Sequence, residues 1–234
     1  MTPPAPSRDE PLHDTRYSWF RLCVTLLVAC VGNVGMWAVI VILPDMQAEF
    51  GIDRGMASLP YTACMAGFAI GSLVIGRWVD RYGITPCLIA TAFLLSAGFA
   101  VVAVLSSIWV IVALHFVIGF GAAANFGPLI ADISHWFMRR RGIAVAITAS
   151  GNYLSGAIWP LLLTGVLDTH GWRGVYVVLA VLVSALVVPL AFVLRRQVSE
   201  EATLRADTAA AERRGATGLS PGQLQLMLIV AGLA

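Results

Sequence analysis

Residues 22–43 read LCVTLLVACVGNVGMWAVIVIL, a run without Asp, Glu, Lys or Arg. A helix of about 20 apolar residues can cross the roughly 30 Å hydrocarbon core of a bilayer. Five further uncharged apolar blocks follow along the chain. All six are predicted to span the membrane: 22–43, 57–75, 86–105, 108–131, 142–167 and 175–194.

The composition agrees with a membrane protein and excludes a water-soluble fold. Hydrophobic residues make up 59% of the 234 residues, charged residues only 12%, and the mean hydropathy is +0.83. Soluble domains carry about a quarter charged residues. A backbone in lipid must satisfy its own hydrogen bonds, and a barrel would show short alternating segments. The predicted fold is therefore an all-α polytopic membrane protein with six transmembrane helices.

The arginines are unevenly divided between the connections on the two sides of the membrane, and this bias predicts the orientation of the chain. With the N-terminus inside, the cytoplasmic segments hold 13 of the 15 Arg, and the external loops hold only Arg54 and Arg173. Positive residues favour the cytoplasmic side, so we expect a cytoplasmic N-terminus, in a plasma membrane such as the bacterial inner membrane. The expected aromatic belts are Trp19, Trp78 and Trp136 inside, and Trp109 and Trp172 outside.

Outside the six blocks the chain is polar, which predicts the domain organisation. Residues 1–17 are Pro-rich and read as a disordered cytoplasmic tail, and residues 18–196 form the six-helix bundle. Residues 197–220 predict a cytoplasmic linker. Residues 221–234 contain an apolar run too short to span a bilayer, which we interpret as the truncated start of a seventh helix.

An internal repeat relates the first three blocks to the next three. Because the offset of 87 residues contains three spans, the two copies would have opposite orientations, as in the inverted repeats of transporters. The matches are Asp45 with Asp132, Phe50 with Phe137, Arg54 with Arg141, Gly55 with Gly142 and Ala57 with Ala144. One inserted residue then aligns Asp80 with Asp168 and Gly83 with Gly171. Chance matching of common residues is the alternative.

The connection after the second block reads Gly76-Arg77-Trp78-Val79-Asp80-Arg81-Tyr82-Gly83, which resembles the G-x-L-x-D-R-x-G signature of the major facilitator superfamily. Glycines permit a tight turn, and charged side chains can bond neighbouring helix ends. The resemblance implies that Gly76, Asp80, Arg81 and Gly83 latch the two transporter halves in the outward-facing state. Ile84 and Thr85 stand where the family usually has basic residues. A plain turn is the alternative.

The fourth block contains a second match, His115-Phe116-Val117-Ile118-Gly119-Phe120-Gly121, which is similar to the family's R-x-x-x-G-x-G segment with His in place of Arg. The chain further resembles the monocarboxylate and oxalate/formate branch in these positions: 136–137, 139–144, 150–151, Gly156, Pro160 and 171–173. The resemblance covers residues 18–196 and implies an N-terminal half whose C-terminal six-helix half is missing. It also implies a small organic anion, such as a monocarboxylate, as substrate, although the acidic first-helix signature of many monocarboxylate carriers is absent.

Polar and aromatic residues inside the apolar blocks are candidates for the substrate cavity. They share helix faces in three blocks: Asn33 with Trp37, Tyr61 with Ser72, and Asn152 with Ser155 and Trp159. In the resembling family these helices line the cavity, which implies contact with the solute. Asn and Ser also bridge helices structurally, and Trp also packs. The small residues Ala63, Gly67 and Gly71 predict close helix approach instead.

His115 is the only ionisable group inside the six blocks apart from thiols and phenols. Since imidazole titrates near neutral pH, His115 could carry a coupled proton or meet an anionic solute, and a hydrogen-bonded structural histidine is the alternative. Asp45 and Asp132 lie at block ends, where we expect them to be solvated or to cap helices.

These features predict secondary active transport by alternating access, with no bound cofactor and no metal. The sequence contains no P-loop pattern, which argues against direct ATP hydrolysis. The alternatives to a transporter are a membrane enzyme and a non-transporting membrane sensor. The enzyme would need clustered His, Asp or Glu residues, and the sensor would need a signalling domain. The expected partners are the solute, a coupling proton, the lipid bilayer and the missing half. A net charge of +2 does not suggest nucleic acid.

Overall fold

The structure, a computed structural model, describes residues 13–196. Over that range the chain is helical and forms no strand, which confirms the all-α fold. The helices are α1 (Arg16–Gly32), α2 (Val34–Phe50), α3 (Arg54–Tyr82), α4 (Ile84–Val104), α5 (Ile108–Ala122), α6 (Gly127–Ser134) and α7 (Arg141–Val193). They form five stretches long and apolar enough to cross a membrane, which confirms a polytopic membrane fold. The predicted linker and seventh helix lie outside the described residues.

The first predicted span is a broken helix. α1 ends at Gly32 and α2 begins at Val34, with Asn33 between them at φ −94° and ψ 3°. Glycine and asparagine are weak helix formers, which favours an interruption at this pair. α1 also begins earlier than the predicted bundle, at Arg16, because Thr15 accepts a hydrogen bond from the backbone N–H of Ser18 and caps the helix.

The fourth predicted span is broken as well. α5 stops at Ala122, a 3-10 turn covers Ala123–Asn125, and α6 starts at Gly127 with Pro128 in its first turn. Proline suits the start of a helix, where its missing N–H leaves no bond unmade, and it cannot continue the preceding one. The first and fourth spans correspond in the predicted repeat, and both are interrupted.

The last two predicted spans lie in α7, which runs for 53 residues. A straight helix of that length would extend for about 80 Å, far beyond one bilayer core. Gly171 interrupts it with φ 67° and ψ −179°, outside the helical region. Gly83, its partner in the predicted repeat, has nearly the same conformation at φ 84° and ψ 165°. This agreement supports the repeat, while the count of six spans and the inversion stay predictions.

The latch segment is more helical than its predicted loop. α3 continues through Tyr82, so Gly76 lies inside the helix, and only Gly83 turns the chain. The prediction that both glycines form the turn was wrong for Gly76. A left-handed φ is needed only where the chain reverses, and Gly83 supplies it.

Helices α3 and α5 cross with their backbones in contact. A methyl group added at Gly67 or Gly71 would collide with the carbonyl oxygen of Phe116 or Phe120, and one at Gly119 would collide with that of Cys64. Between helices in lipid, such close packing replaces the hydrophobic driving force of soluble proteins. The packing role predicted for Gly67 and Gly71 is confirmed.

The first span is held at both ends by charged groups. The buried Arg21 forms an ion pair with Asp132 at 2.7 Å and also donates to the carbonyl oxygens of Leu194 and Arg196 at 3.1 and 2.8 Å. At the opposite end, Glu49 accepts hydrogen bonds from Arg173 and the Trp172 indole at 2.7 and 2.6 Å. These bonds join α1 and α2 to the second part of α7.

Two expectations about the ends of the spans were therefore wrong. Asp132 is neither solvated nor a simple cap, since its side chain is 15% exposed and paired with a fully buried guanidinium. Trp136 and Trp172 do not belong to exposed belts, because they are only 1% and 3% exposed. Arg21 packs against the Trp136 ring at 4.5 Å, so this indole covers the ion pair instead of facing lipid.

The contact at Gly67 predicts a loss of stability on adding one methyl group. We expect Gly67→Ala to destabilise the protein by about 1–3 kcal/mol, because the α3 and α5 backbones must separate. Gly165→Ala is the control, since a methyl group there meets nothing within 4 Å and alanine favours helix by about 1 kcal/mol. Unfolding by SDS in mixed micelles measures both. Equal stability of the two variants would contradict the close crossing.

The pair of Arg21 and Asp132 predicts strong coupling between these residues. We expect Arg21→Gln to cost about 3–5 kcal/mol of unfolding free energy, because it leaves the Asp132 carboxylate without its partner. Arg195→Gln, an exposed position at the same end of the bundle, should change little. The Arg21→Gln/Asp132→Asn double variant should be more stable than Arg21→Gln alone. Additive losses in this cycle would show that the two side chains act independently.

Candidate functional site

Five of the predicted cavity residues lie on two elements that pack against each other, the first span and α7. A Cβ atom at Gly156 would contact the Trp37 ring, and one at Gly151 would contact Ala29. On the same part of α7, the Trp159 indole donates to the carbonyl oxygen of Cys30 at 2.9 Å. The cavity candidates on these elements are Asn33 and Trp37 of the first span, which α1 begins, and Asn152, Ser155 and Trp159 of α7; we call the five the α1/α7 polar group.

The α1/α7 polar group contains buried atoms that make no hydrogen bond within the protein. They are Asn33 Oδ1, Trp37 Nε1, Asn152 Oδ1 and Ser155 Oγ. Leaving a buried donor or acceptor unsatisfied costs about 1–3 kcal/mol, so these four atoms are available to bind water or a polar ligand. The group offers donors and acceptors, which suits a small polar or anionic solute.

Asn33 connects this group to the second broken span. Its amide nitrogen donates to the carbonyl oxygen of Ala29 at 2.8 Å and to that of Asn125 at 3.2 Å. The Asn125 side chain lies against Gly32, where any Cβ atom would overlap it. Asn125 is fully buried, and both of its side-chain polar atoms are unpaired.

The sequence interpretation missed Asn125 and Thr148. Thr148 is 1% exposed with an unpaired hydroxyl, and it lies one helical turn before Asn152 on the same face of α7. The signal for Asn125 was present in Asn125-Phe126-Gly127-Pro128, since a polar residue just before Gly-Pro marks a helix interruption inside an apolar block. For Thr148, the spacing of four residues was the available signal.

His115 lies elsewhere in the bundle. Its Nδ1 is 2.8 Å from the carbonyl oxygen of Ile111, and its Nε2 is 2.7 Å from the Tyr176 hydroxyl. Because a carbonyl can only accept, Nδ1 must carry the proton, and Nε2 of the neutral ring then accepts from Tyr176. The neutral imidazole is therefore fully hydrogen-bonded, as the structural alternative requires.

Tyr61 and Ser72 do not join the α1/α7 polar group through any hydrogen bond between residues 13 and 196. Tyr61 is half-buried on α3, and the exposed Ser72 donates to the carbonyl oxygen of Phe68 in its own helix at 2.8 Å. Among the latch residues, Asp80 and Arg81 are exposed at the end of α3. The guanidinium of Arg81 lies 5.4 Å from the Tyr82 ring centre.

Known proteins similar to this chain are transporters. The chain is 25% identical over 159 residues to the "Probable sulfoacetate transporter" of Cupriavidus necator, covering 68% of this chain and 36% of the relative. It is 31% identical over 148 residues to human monocarboxylate transporter 11, covering 58% and 29%. It is 26% identical over 170 residues to the 4-hydroxybenzoate transporter of Acinetobacter baylyi, covering 72% and 36%.

The extent of these matches shows the family and its limits. The chain spans about a third of the length of these curated relatives. The family model described as Major Facilitator Superfamily matches residues 25–233, which is most of the chain. Its match includes the interruptions of both broken spans and all the predicted site residues. The protein belongs to the Major Facilitator Superfamily.

Proposed function

We propose that the chain forms the N-terminal half of a secondary transporter for small organic anions, which works by alternating access without a bound cofactor. The observation that carries this proposal is the α1/α7 polar group, because its unpaired donors and acceptors lie between apolar spans. Three relatives are named for sulfoacetate, a monocarboxylate and 4-hydroxybenzoate, and all three solutes are small organic anions. Family membership favours transport over the enzyme and sensor alternatives.

The α1/α7 polar group would bind the anion through neutral dipoles. Trp37 Nε1 and Ser155 Oγ can donate hydrogen bonds to a carboxylate or sulfonate, and Asn152 adds its amide. The relatives' greater length supports a second half in the complete transporter, and we propose that this half supplies the positive charge that the anion requires. The solute would thus bind between two halves, one supplying directional hydrogen bonds and the other charge.

The proposed orientation places the N-terminus, Asp80 and Arg139 in the cytoplasm of a cell whose plasma membrane holds the protein. The arginine distribution supports this orientation. In it, Gly83 and the exposed Asp80 and Arg81 would meet the second half at the cytoplasmic surface and latch the outward-facing state. Gly76, inside α3, would contribute a smooth helix surface there, since a methyl group at this position meets nothing within 4 Å.

Removing the hydroxyl of Ser155 tests the binding role. In proteoliposomes that hold the chain joined to its second half, we expect Ser155→Ala to lower kcat/KM for an anion such as 4-hydroxybenzoate about tenfold, the effect of one lost hydrogen bond. The variant should remain folded, because Ser155 Oγ makes no bond within the protein.

Ser184→Ala is the matched control for this test. Ser184 donates to the carbonyl oxygen of Ala180 in its own helix at 3.2 Å, so uptake should stay unchanged. Equal uptake by the two variants would show that the α1/α7 polar group does not contact the solute. A panel of carboxylates, sulfonates and neutral sugars identifies the substrate class, and uptake of sugars alone would overturn the anion proposal.

We further propose that His115 carries a coupled proton. Its protonation must then differ between the two access states, since a ligand bound equally in both shifts no equilibrium. His115→Gln keeps polarity but cannot titrate, so it should abolish proton-driven accumulation and spare exchange of solute for solute. Tyr176→Phe removes the hydroxyl bonded to Nε2 and leaves the imidazole able to titrate, so it should shift the pH dependence of accumulation without abolishing accumulation. Accumulation driven by pH in the Gln variant would exclude His115 as the coupling group.

A further inference from the structure

A cavity of about 480 Å³ opens at the end of the bundle where α1 begins. It is lined by Asp14 and Trp19, on the segment entering and forming α1, and by Arg139 and Arg140, in the turn that precedes α7. Both arginines are exposed, and neither belongs to an ion pair within residues 13–196. The cavity therefore presents two guanidinium groups that have no carboxylate partner in the part of the chain described.

Asp14 also lines this cavity and offsets one of its two positive charges. Its Oδ2 accepts hydrogen bonds from the backbone N–H groups of Met138 and Arg139 at 3.2 and 3.0 Å, and its own N–H donates to the carbonyl oxygen of Trp136 at 3.1 Å. Asp14 is also held at a positive φ of 58°, a conformation that needs such local bonds to persist. The carboxylate thus fixes the backbone of the segment that carries Arg139 and Arg140. Asp14 and the two arginines together give the cavity a charge of about +1.

The surface beside the cavity is apolar. Phe20 and Leu27 are 54% and 53% exposed, and Cys23 between them is exposed too. Their spacing of three and four residues places them on one face of α1, and this stripe begins next to Trp19. The Arg140 guanidinium lies 5.8 Å from the Trp19 ring centre. The positive charge of Arg140 is therefore followed along α1 by the Trp19 ring and then by the apolar stripe.

We propose that this cavity binds the phosphate headgroup of an anionic phospholipid. Arg139 and Arg140 contact the phosphate diester, for which guanidinium groups are well suited. Trp19 lies at the level of the glycerol backbone, where indole rings favour the membrane interface. The acyl chains run along Phe20, Cys23 and Leu27. Basic pockets beside transmembrane helices are a recurrent type of headgroup site, and the adjoining apolar stripe favours a lipid over free phosphate.

The test uses the full chain in detergent, titrated with dihexanoyl phosphatidylglycerol and followed by native mass spectrometry. We expect one tight adduct with phosphatidylglycerol and none with dihexanoyl phosphatidylcholine. Arg139→Gln/Arg140→Gln should weaken the phosphatidylglycerol adduct about tenfold or more, from about 1 kcal/mol for each arginine near the membrane surface. Arg139→Lys/Arg140→Lys keeps the charge and should retain most of the binding.

The matched control is Arg77→Gln/Arg195→Gln, which removes the same charge from two exposed positions outside the cavity. It should leave the adduct intact. Equal weakening in both Gln pairs would show general attraction to a positive surface and overturn the site. Displacement of the lipid by millimolar inorganic phosphate would overturn it as well, because the ligand would then be the free anion. Adducts unchanged in every variant would place the lipid elsewhere.

Discussion

The hydrogen bonds of the Asn33 amide hold the two broken spans together. The hydrocarbon of a bilayer offers backbone groups no water, so a helix can be interrupted only where other parts of the protein or a water-filled cavity supply partners. Asn33 supplies one for the carbonyl oxygen of Ala29 in its own helix and one for that of Asn125 in the other broken span. Gly32 permits the contact because it has no Cβ atom. The two interruptions therefore stabilise each other.

The remainder of the bundle fixes this junction from outside. Arg21 and Glu49 attach the two ends of the first span to groups at the two ends of the second part of α7. The exposed pair of Glu49 and Arg173 contributes little stability by itself, whereas the buried Arg21 cannot lose Asp132 without a large cost. The first span is therefore bonded to its neighbours at both ends and, through Asn33 and Asn125, in its middle.

Hydropathy predicted where the helices lie because the bilayer leaves few choices for an apolar chain. It also found Asn33, Asn152 and Ser155, which are conspicuous as polar residues in apolar blocks. It could not find the partner of Asp132, since Arg21 lies 111 residues away in sequence. The prediction of exposed aromatic belts was wrong for Trp136 and Trp172, because an indole ring can pack inside a protein as well as anchor it at the membrane interface. The prediction of a turn at Gly76 was wrong because a glycine in a motif can lie inside a helix while another glycine, here Gly83, turns the chain.

The geometry at His115 constrains how a proton could be coupled to movement. The neutral ring donates from Nδ1 to Ile111 and accepts at Nε2 from Tyr176. A proton added at Nε2 makes that atom a donor, so the Tyr176 hydroxyl must turn its own proton to another acceptor. The ring centres of Trp172 and Tyr176 lie 6.0 Å apart in an edge-to-face arrangement. The Trp172 indole in turn donates a hydrogen bond to Glu49 at the end of the first span. Protonation of His115 would thus act first on Tyr176, and through the packed Trp172 on the contact that joins the first span to α7.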